Sequence, residues 1–299
     1  MSVIEIRNLD KNFGTLKAVS DLSLNAEAGE ILGFVGKNGA GKSTTLRCIV
    51  DILRPSSGNI TILGMPSTTR AKQIKEKLSY VPSEAIFYEN ISVEQILKFA
   101  CKIANVAYET ALDLCTYFEL EPAKKVNDLS LGNRKKVSLV QGFLRDSQVM
   151  VFDEPTSGLD PLMQEKFFQL ITKAKNRGAC IFLSSHNLSE IEQYCDRVAI
   201  IKSGTLVDVV NLTKAVAKNK KLVMCTLANG EKLNFEFDED ANKLIEKLSH
   251  LNLKDVEIKR ISVYDEFIQY YQDFEDAPNA SHTTSNSQNT TNKTGDDND

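Results

Sequence analysis

The stretch ILGFVGKNGAGKSTTLRCIVDIL, Ile31–Leu53, decides how the rest of the chain is read. ILGFV is apolar throughout, which suits a strand covered on both faces rather than one with a wet side. From Lys42 onward, Leu46, Ile49, Val50 and Leu53 recur at helical spacing, so an amphipathic helix is expected there. Between strand and helix, GKNGAGKST (Gly36–Thr44) fits G-x-x-x-x-G-K-[ST] at full length. In that setting Gly36, Asn38, Gly39, Ala40 and Gly41 let main-chain N–H groups wrap phosphate oxygens, and the helix N-terminus adds partial positive charge. Lys42 is expected to reach the β- and γ-phosphates, and Ser43, followed by Thr44, to offer a hydroxyl to Mg²⁺. A nucleotide site is the reading.

Working outward, the short apolar runs VMVF (Val149–Phe152), ACIFLS and RVAII alternate with segments of helical period, as in a parallel sheet covered on both sides. VMVFDEP ends its strand in two carboxylates. Asp153 is placed to hold Mg²⁺ and Glu154 to act as general base toward an attacking water. Toward the N-terminus, SVIEIRNLDKNFG and VSDLSLNAEAGE alternate as half-buried antiparallel strands do. From about Ser83 to Leu144 the pattern is mainly helical, which predicts a helical subdomain inserted in the α/β layer. Within it, Ser92 and Gln95 form a capping box ahead of a buried stripe of Val93, Ile96, Leu97, Ala100 and Ala104.

DLSLGNRKKVSLVQGFL, Asp128–Leu144, opens a further helix with Arg134, Lys135 and Lys136 crowded into its first turn, where the peptide dipoles disfavour cations. Two readings stand side by side: an anion at that helix start, or a solvated basic face. After about Leu212 the style changes again. KLVMCTLANGEKLNFEF predicts two strands about an Asn229-Gly230 turn, followed by two short helices and a strand, a small α+β unit over 213–274. Residues 275–299, with almost nothing apolar, are expected to be a disordered polar tail.

Forty acidic against 36 basic side chains, a net charge of −4, argue against a general nucleic-acid binder. The N-terminus carries charge where a signal peptide is apolar, and no apolar run approaches the roughly 18 residues that span a bilayer, so a soluble chain is expected. The six cysteines show no C-x-x-C pair and read as structural thiols in a reducing compartment.

GKNGAGKST, LSLGN, VFDEP, SGLD and the His186 of SSHNL stand in the order and approximate separations of the ATP-binding subunit of ABC transporters. The resemblance covers roughly Val3–Leu212. It implies an ABC-type P-loop NTPase over residues 1–212, α/β, with an antiparallel β subdomain and a helical subdomain at about 84–144. It also implies ATP hydrolysis with ATP and Mg²⁺, and a second ATPase subunit, identical or different, facing the first head to tail. Further implications are an integral membrane permease as partner and a place on the cytoplasmic face of the membrane. The anion at Ser130 and Gly132 would then be the γ-phosphate held by the opposite subunit.

Other positions carry over singly. Phe13 stands where the family places an aromatic against adenine, or it fills the core at a strand end. Asp160 resembles the acid of the loop that crosses the dimer, and also suits an N-cap before Pro161. His186 stands where the family has a histidine touching the γ-phosphate. Ser83 replaces the glutamine that usually reaches Mg²⁺, and its shorter hydroxyl would need an intervening water. Ile86, Phe87 and Tyr88 form a docking patch for a permease helix, or pack into the helical subdomain. With one ATP-binding domain and RISVYDEFIQYYQ near the end, the chain is similar to bacterial ABC-2-type exporters of the bacitracin and lantibiotic kind. An importer subunit and a nucleotide-sensing regulator that does not turn over are the alternatives.

Overall fold

The computed structural model describes residues 2–84, 86–88, 90–212 and 221–260. A long hairpin, β1 (Ser2–Phe13) and β2 (Leu16–Glu27), forms a four-stranded antiparallel sheet with β4 (Ser57–Ile62) and β5 (Met65–Pro66), in the order β2-β1-β4-β5. Ile4 and Ile6 face inward at the strand period, and Leu9 is also buried although it breaks that period. The break falls where Asn8 and Asp21 both take left-handed φ, at 48° and 46°, and Asn8 Nδ2 donates to Asp21 Oδ1 at 2.7 Å. This irregularity resets the pleat, so apolar side chains stay on the core face.

The second sheet has six strands in the order β10-β9-β3-β8-β7-β6. Its members are β3 (Ile31–Val35), β6 (Leu78–Val81), β7 (Val149–Asp153), β8 (Cys180–Ser185), β9 (Arg197–Lys202) and β10 (Thr205–Asn211). Five strands run parallel, and β10 returns antiparallel at the edge. Alternate residues of β3 serve two cores: Ile31 and Val35 pack with the helical layer, Leu32 and Phe34 with the antiparallel sheet. Both faces are therefore dry, which is why the runs read as continuously apolar. SGNITI and LSYV, which become β4 and β6, drew no strand reading, being short and partly polar.

The helix after the phosphate loop, α1 (Lys42–Ile49), is shorter than its apolar spacing predicts. Asp51, at φ 54°, turns the chain left-handed, and the N–H groups of Asp51 and Ile52 return to the carbonyls of Cys48 and Arg47. That closes a Schellman motif, so Leu53 lies beyond the helix. A five-residue helix, α2 (Ala71–Lys75), precedes β6. The helical layer holds α3 (Val93–Ala104), α4 (Tyr108–Tyr117) and α5 (Leu131–Phe143). The Ser92–Gln95 capping box is present in full, and Cys101, absent from the predicted stripe, is buried with Val93, Ile96 and Leu97. Two further helices, α6 (Pro161–Asn176) and α7 (Leu188–Tyr194), link β7 to β8 and β8 to β9.

Beyond residue 220, β11 (Lys221–Leu227), β12 (Lys232–Phe237) and β13 (Leu253–Arg260) form an antiparallel sheet in the order β12-β11-β13. With α8 (Ala241–Ser249) it encloses a separate core of Val223, Cys225, Phe237, Leu244 and Leu248. The expected last helix and polar tail lie outside the described residues. All six cysteines are free and buried. No helix among the described residues is long and apolar enough to cross a membrane.

Candidate active site

The loop from Gly36 to Gly41 turns between β3 and α1 under tight steric limits. A Cβ on Gly36 would lie 2.5 Å from the Ile201 carbonyl oxygen, and one on Gly41 2.6 Å from that of Ala18. Gly41 also takes φ 104°, a conformation closed to other residues. The loop borders a cavity of about 520 Å³, lined among others by Phe13, Asn38, Gly39, Gly41, Lys42, Ser43, Thr44 and Glu154. This lies within the roughly 300–1,000 Å³ usual for small-molecule sites. Gly36 and Ala40 do not line it. The Ala40 N–H donates to the Lys37 carbonyl at 3.1 Å and its own carbonyl accepts from Gly204, so Ala40 braces the loop. Leu16, Lys17, Ala18 and Ser203 complete the wall. They come from the start of β2 and the β9–β10 turn, and no sequence signal marked them.

Lys42 is buried, and its Nζ donates to the carbonyls of Gly36 at 2.7 Å and Lys37 at 3.3 Å. It also lies 3.5 Å from Glu154 Oε1. Phe13 is 45% exposed at the cavity rim with the Lys11 ammonium 4.9 Å from its ring centre. Its core-filling reading is thereby excluded, and its ring offers an open apolar face.

At the end of β7, Asp153 is fully buried; its Oδ1 accepts from Ser184 Oγ at 2.8 Å, while Oδ2 has no hydrogen-bond partner. An orphaned, buried carboxylate oxygen carries a large desolvation cost and suits a cation or its water shell. Glu154 adopts φ 46°, a strained conformation for a non-glycine residue. Its N–H donates to Ser184 Oγ at 3.0 Å, and the other end of the side chain, Oε2, lies 3.2 Å from His186 Nδ1. Glu154 thus stands between the phosphate-loop lysine and the exposed histidine, with one oxygen toward each.

Ser130 and Gly132 are elsewhere. Ser130 caps α5, its Oγ accepting from the Asn133 N–H at 3.3 Å. Gly132 crosses the 156–160 loop so closely that a Cβ would meet the Gly158 carbonyl at 2.5 Å. Neither lines the cavity of its own chain, and Leu131 between them is exposed. Asp160 is the N-cap of α6, accepting from the Met163 N–H at 3.0 Å, and likewise lies off the cavity.

The basic cluster of α5 departs from its solvated reading. Lys135 is 4% exposed, and its Nζ donates to the carbonyls of Ser83 at 2.7 Å and Pro82 at 3.0 Å. Burial lowers this ammonium to about 8, against the pull of Asp153, Glu154 and Glu84. Lys136 is also buried. The long stem lets a cation near the helix N-terminus reach carbonyls on the loop after β6 instead of facing the dipole. Ser83, whose carbonyl this occupies, does not line the cavity, so the magnesium role read for it gains no support. In the docking triplet, Ile86 and Tyr88 are 94% and 86% exposed, whereas Phe87 packs on the helical core.

The sequence pattern of the family described as "ABC transporter" matches residues 19–157, and one described as an AAA domain matches residues 124–192. A bacitracin transport ATP-binding protein of Bacillus licheniformis is 31% identical over 275 residues, covering 90% of this chain and 87% of its own. A Nod factor export ATP-binding protein of Burkholderia lata is 32% identical over 207 residues, with 67% and 68% covered. A solved ATP-binding subunit of an ABC transporter superposes with a TM-score of 0.67 at 27% identity, covering 72% of this chain and 92% of that one.

Proposed function

The chain belongs to the ATP-binding subunits of ABC transporters and is an ATPase, and from that premise we propose that it closes head to tail on a second such subunit and drives a separate membrane permease in export. The observation that carries this is the incompleteness of the site: Ser130 caps the start of α5 and Gly132 stands in its first turn, yet neither lines its own chain's cavity. A helix N-terminus with free N–H groups is an anion site, and the anion is the γ-phosphate of ATP bound on the partner.

In this reading Gly36–Thr44 cradle the phosphates, Phe13 stacks on the base, and Asp160 faces the partner. Glu154 accepts a proton from the attacking water, and His186 orients the γ-phosphate. Ser43 and Asp153 would hold Mg²⁺, whose charge would neutralise the β- and γ-phosphate oxygens; the unpartnered Asp153 Oδ2 supports the fit. Residues 1–212 form the ATP-binding domain, 213–274 an accessory unit and 275–299 a polar tail. The exposed Ile86 and Tyr88 offer the permease a contact on the cytoplasmic face of the membrane. The names of the bacitracin transport and Nod factor export relatives favour export over import.

Light scattering on Glu154→Gln protein tests the closure. Adding Mg-ATP is expected to double the mass. A monomer that binds ATP but does not double would refute pairing between copies of this chain.

A further inference from the structure

Glu190 lies in α7, one turn after His186, and no proposed step uses it. It is a buried carboxylate with no basic partner among its described contacts. Three donors converge on it instead. Thr156 Oγ1 donates to Oε2 at 2.9 Å, Ser185 Oγ to the same oxygen at 3.1 Å, and Asn187 Nδ2 to Oε1 at 3.2 Å. Thr156 stands two residues after Glu154, and Ser185 and Asn187 stand on either side of His186. Thr156 is tied onward as well: Gln164 Nε2 donates to its carbonyl at 3.4 Å and to that of Leu159 at 3.1 Å.

We propose that Glu190 is a positioning residue for ATP hydrolysis, a latch that joins the 156–160 loop to the His186 loop so that Glu154 and His186 keep their mutual placement. The inference rests on the roles proposed above for those two residues. Its physical ground is the charge on the carboxylate. Buried hydrogen bonds to an ionised acceptor are stronger than neutral ones, and one acceptor group serving three donors ties the two loops together at one point. Asn187 cannot turn its amide to compensate, because its Oδ1 already accepts from the Ser189 N–H at 3.1 Å. Latching these loops also ties the segment ending at Asp160, which faces the partner in the proposed dimer, to the histidine that faces the γ-phosphate.

The test is a double-mutant cycle on the full chain, with steady-state phosphate release and equilibrium ATP binding measured for each variant. Glu190→Gln removes the charge and leaves a single amide oxygen for donors that two carboxylate oxygens served, so in either amide orientation an NH2 meets a donor. Thr156→Val removes one of the two hydroxyls at nearly constant shape. Each is expected to lower kcat roughly tenfold with Kd for ATP within about twofold, since a small misplacement of catalytic groups costs rate rather than ground-state binding. The double variant is expected to be no slower than about twofold below Glu190→Gln, because both changes open one latch. Thr156→Ser, which keeps the hydroxyl, is expected to restore kcat. Unchanged kcat in both single variants, fully multiplying effects, or a Kd that weakens in step with kcat would overturn the proposal. If Glu190→Gln fails to fold, Thr156→Val against Thr156→Ser decides alone. Glu154→Gln, run in parallel, separates the two levels: turnover that survives it refutes the proposed chemistry, whereas turnover lost there and unaffected by opening the latch refutes only the role of Glu190.

Discussion

Replacing Lys135 with methionine probes the least expected feature of the site, an ammonium buried at the start of α5. Methionine keeps the length of the stem and removes the charge. The fall of Lys135 from its ordinary 10.5 to about 8 corresponds to about 3 kcal/mol by which folding disfavours the charged form. The sign follows from proton counting. Between about 8 and 10.5 the unfolded chain holds a proton that the folded chain has lost, so stability rises with pH across that window. Below about 8 the lysine is charged in both states and the full cost is present. Asp153, Glu154 and Glu84 face it and oppose the shift, so replacing any of them would deepen it. Urea unfolding of wild type and Lys135→Met, without nucleotide or metal, at about pH 7 and about pH 10 isolates the effect, because every other titrating group is common to both. Wild type is expected to gain about 2–3 kcal/mol on Lys135→Met over that interval. Parallel stabilities at the two pH values would refute the buried, depressed lysine.

Gly132→Ala drives a methyl to 2.5 Å from the Gly158 carbonyl and must part α5 from the 156–160 loop. Turnover is expected to fall roughly tenfold or more, with ATP affinity measured by equilibrium binding unchanged. Phe13→Ser removes the exposed ring at the cavity rim. Stacking of a base on an aromatic is worth roughly 1–3 kcal/mol, so Kd for ATP should weaken about fivefold or more while kcat holds. Asp153→Asn removes the charge from the orphaned buried oxygen, and the Mg²⁺ concentration for half-maximal turnover should rise roughly tenfold or more, read from a magnesium titration.

The phosphate loop and the acid pair were legible because strand, glycine spacing and helix each impose a local requirement that only a few residue types meet. Gly36 and Gly41 show why: side chains there would strike the carbonyls of Ile201 and Ala18. The capping box at Ser92 was legible for the same reason, since its partners lie three residues apart. What escaped depends on chain segments far apart in sequence. Lys135 looks like a surface charge until the loop at Pro82 and Ser83 folds over it. Glu190 reads as one of two acids on a short helix, and only the meeting of β7 and β8 brings Thr156 to it. The early end of α1 turned on one left-handed residue, Asp51, where glycine would have been the recognisable signal.

The central claim is that Glu154, held between Lys42 and His186, carries ATP hydrolysis. Steady-state phosphate release from wild type and Glu154→Gln, with ATP binding measured on the same samples, tests it most directly. The account predicts that Glu154→Gln binds ATP within about twofold of wild type and loses turnover by roughly a hundredfold or more, as removal of a general base requires. Turnover that persists near the wild-type rate in Glu154→Gln would contradict it.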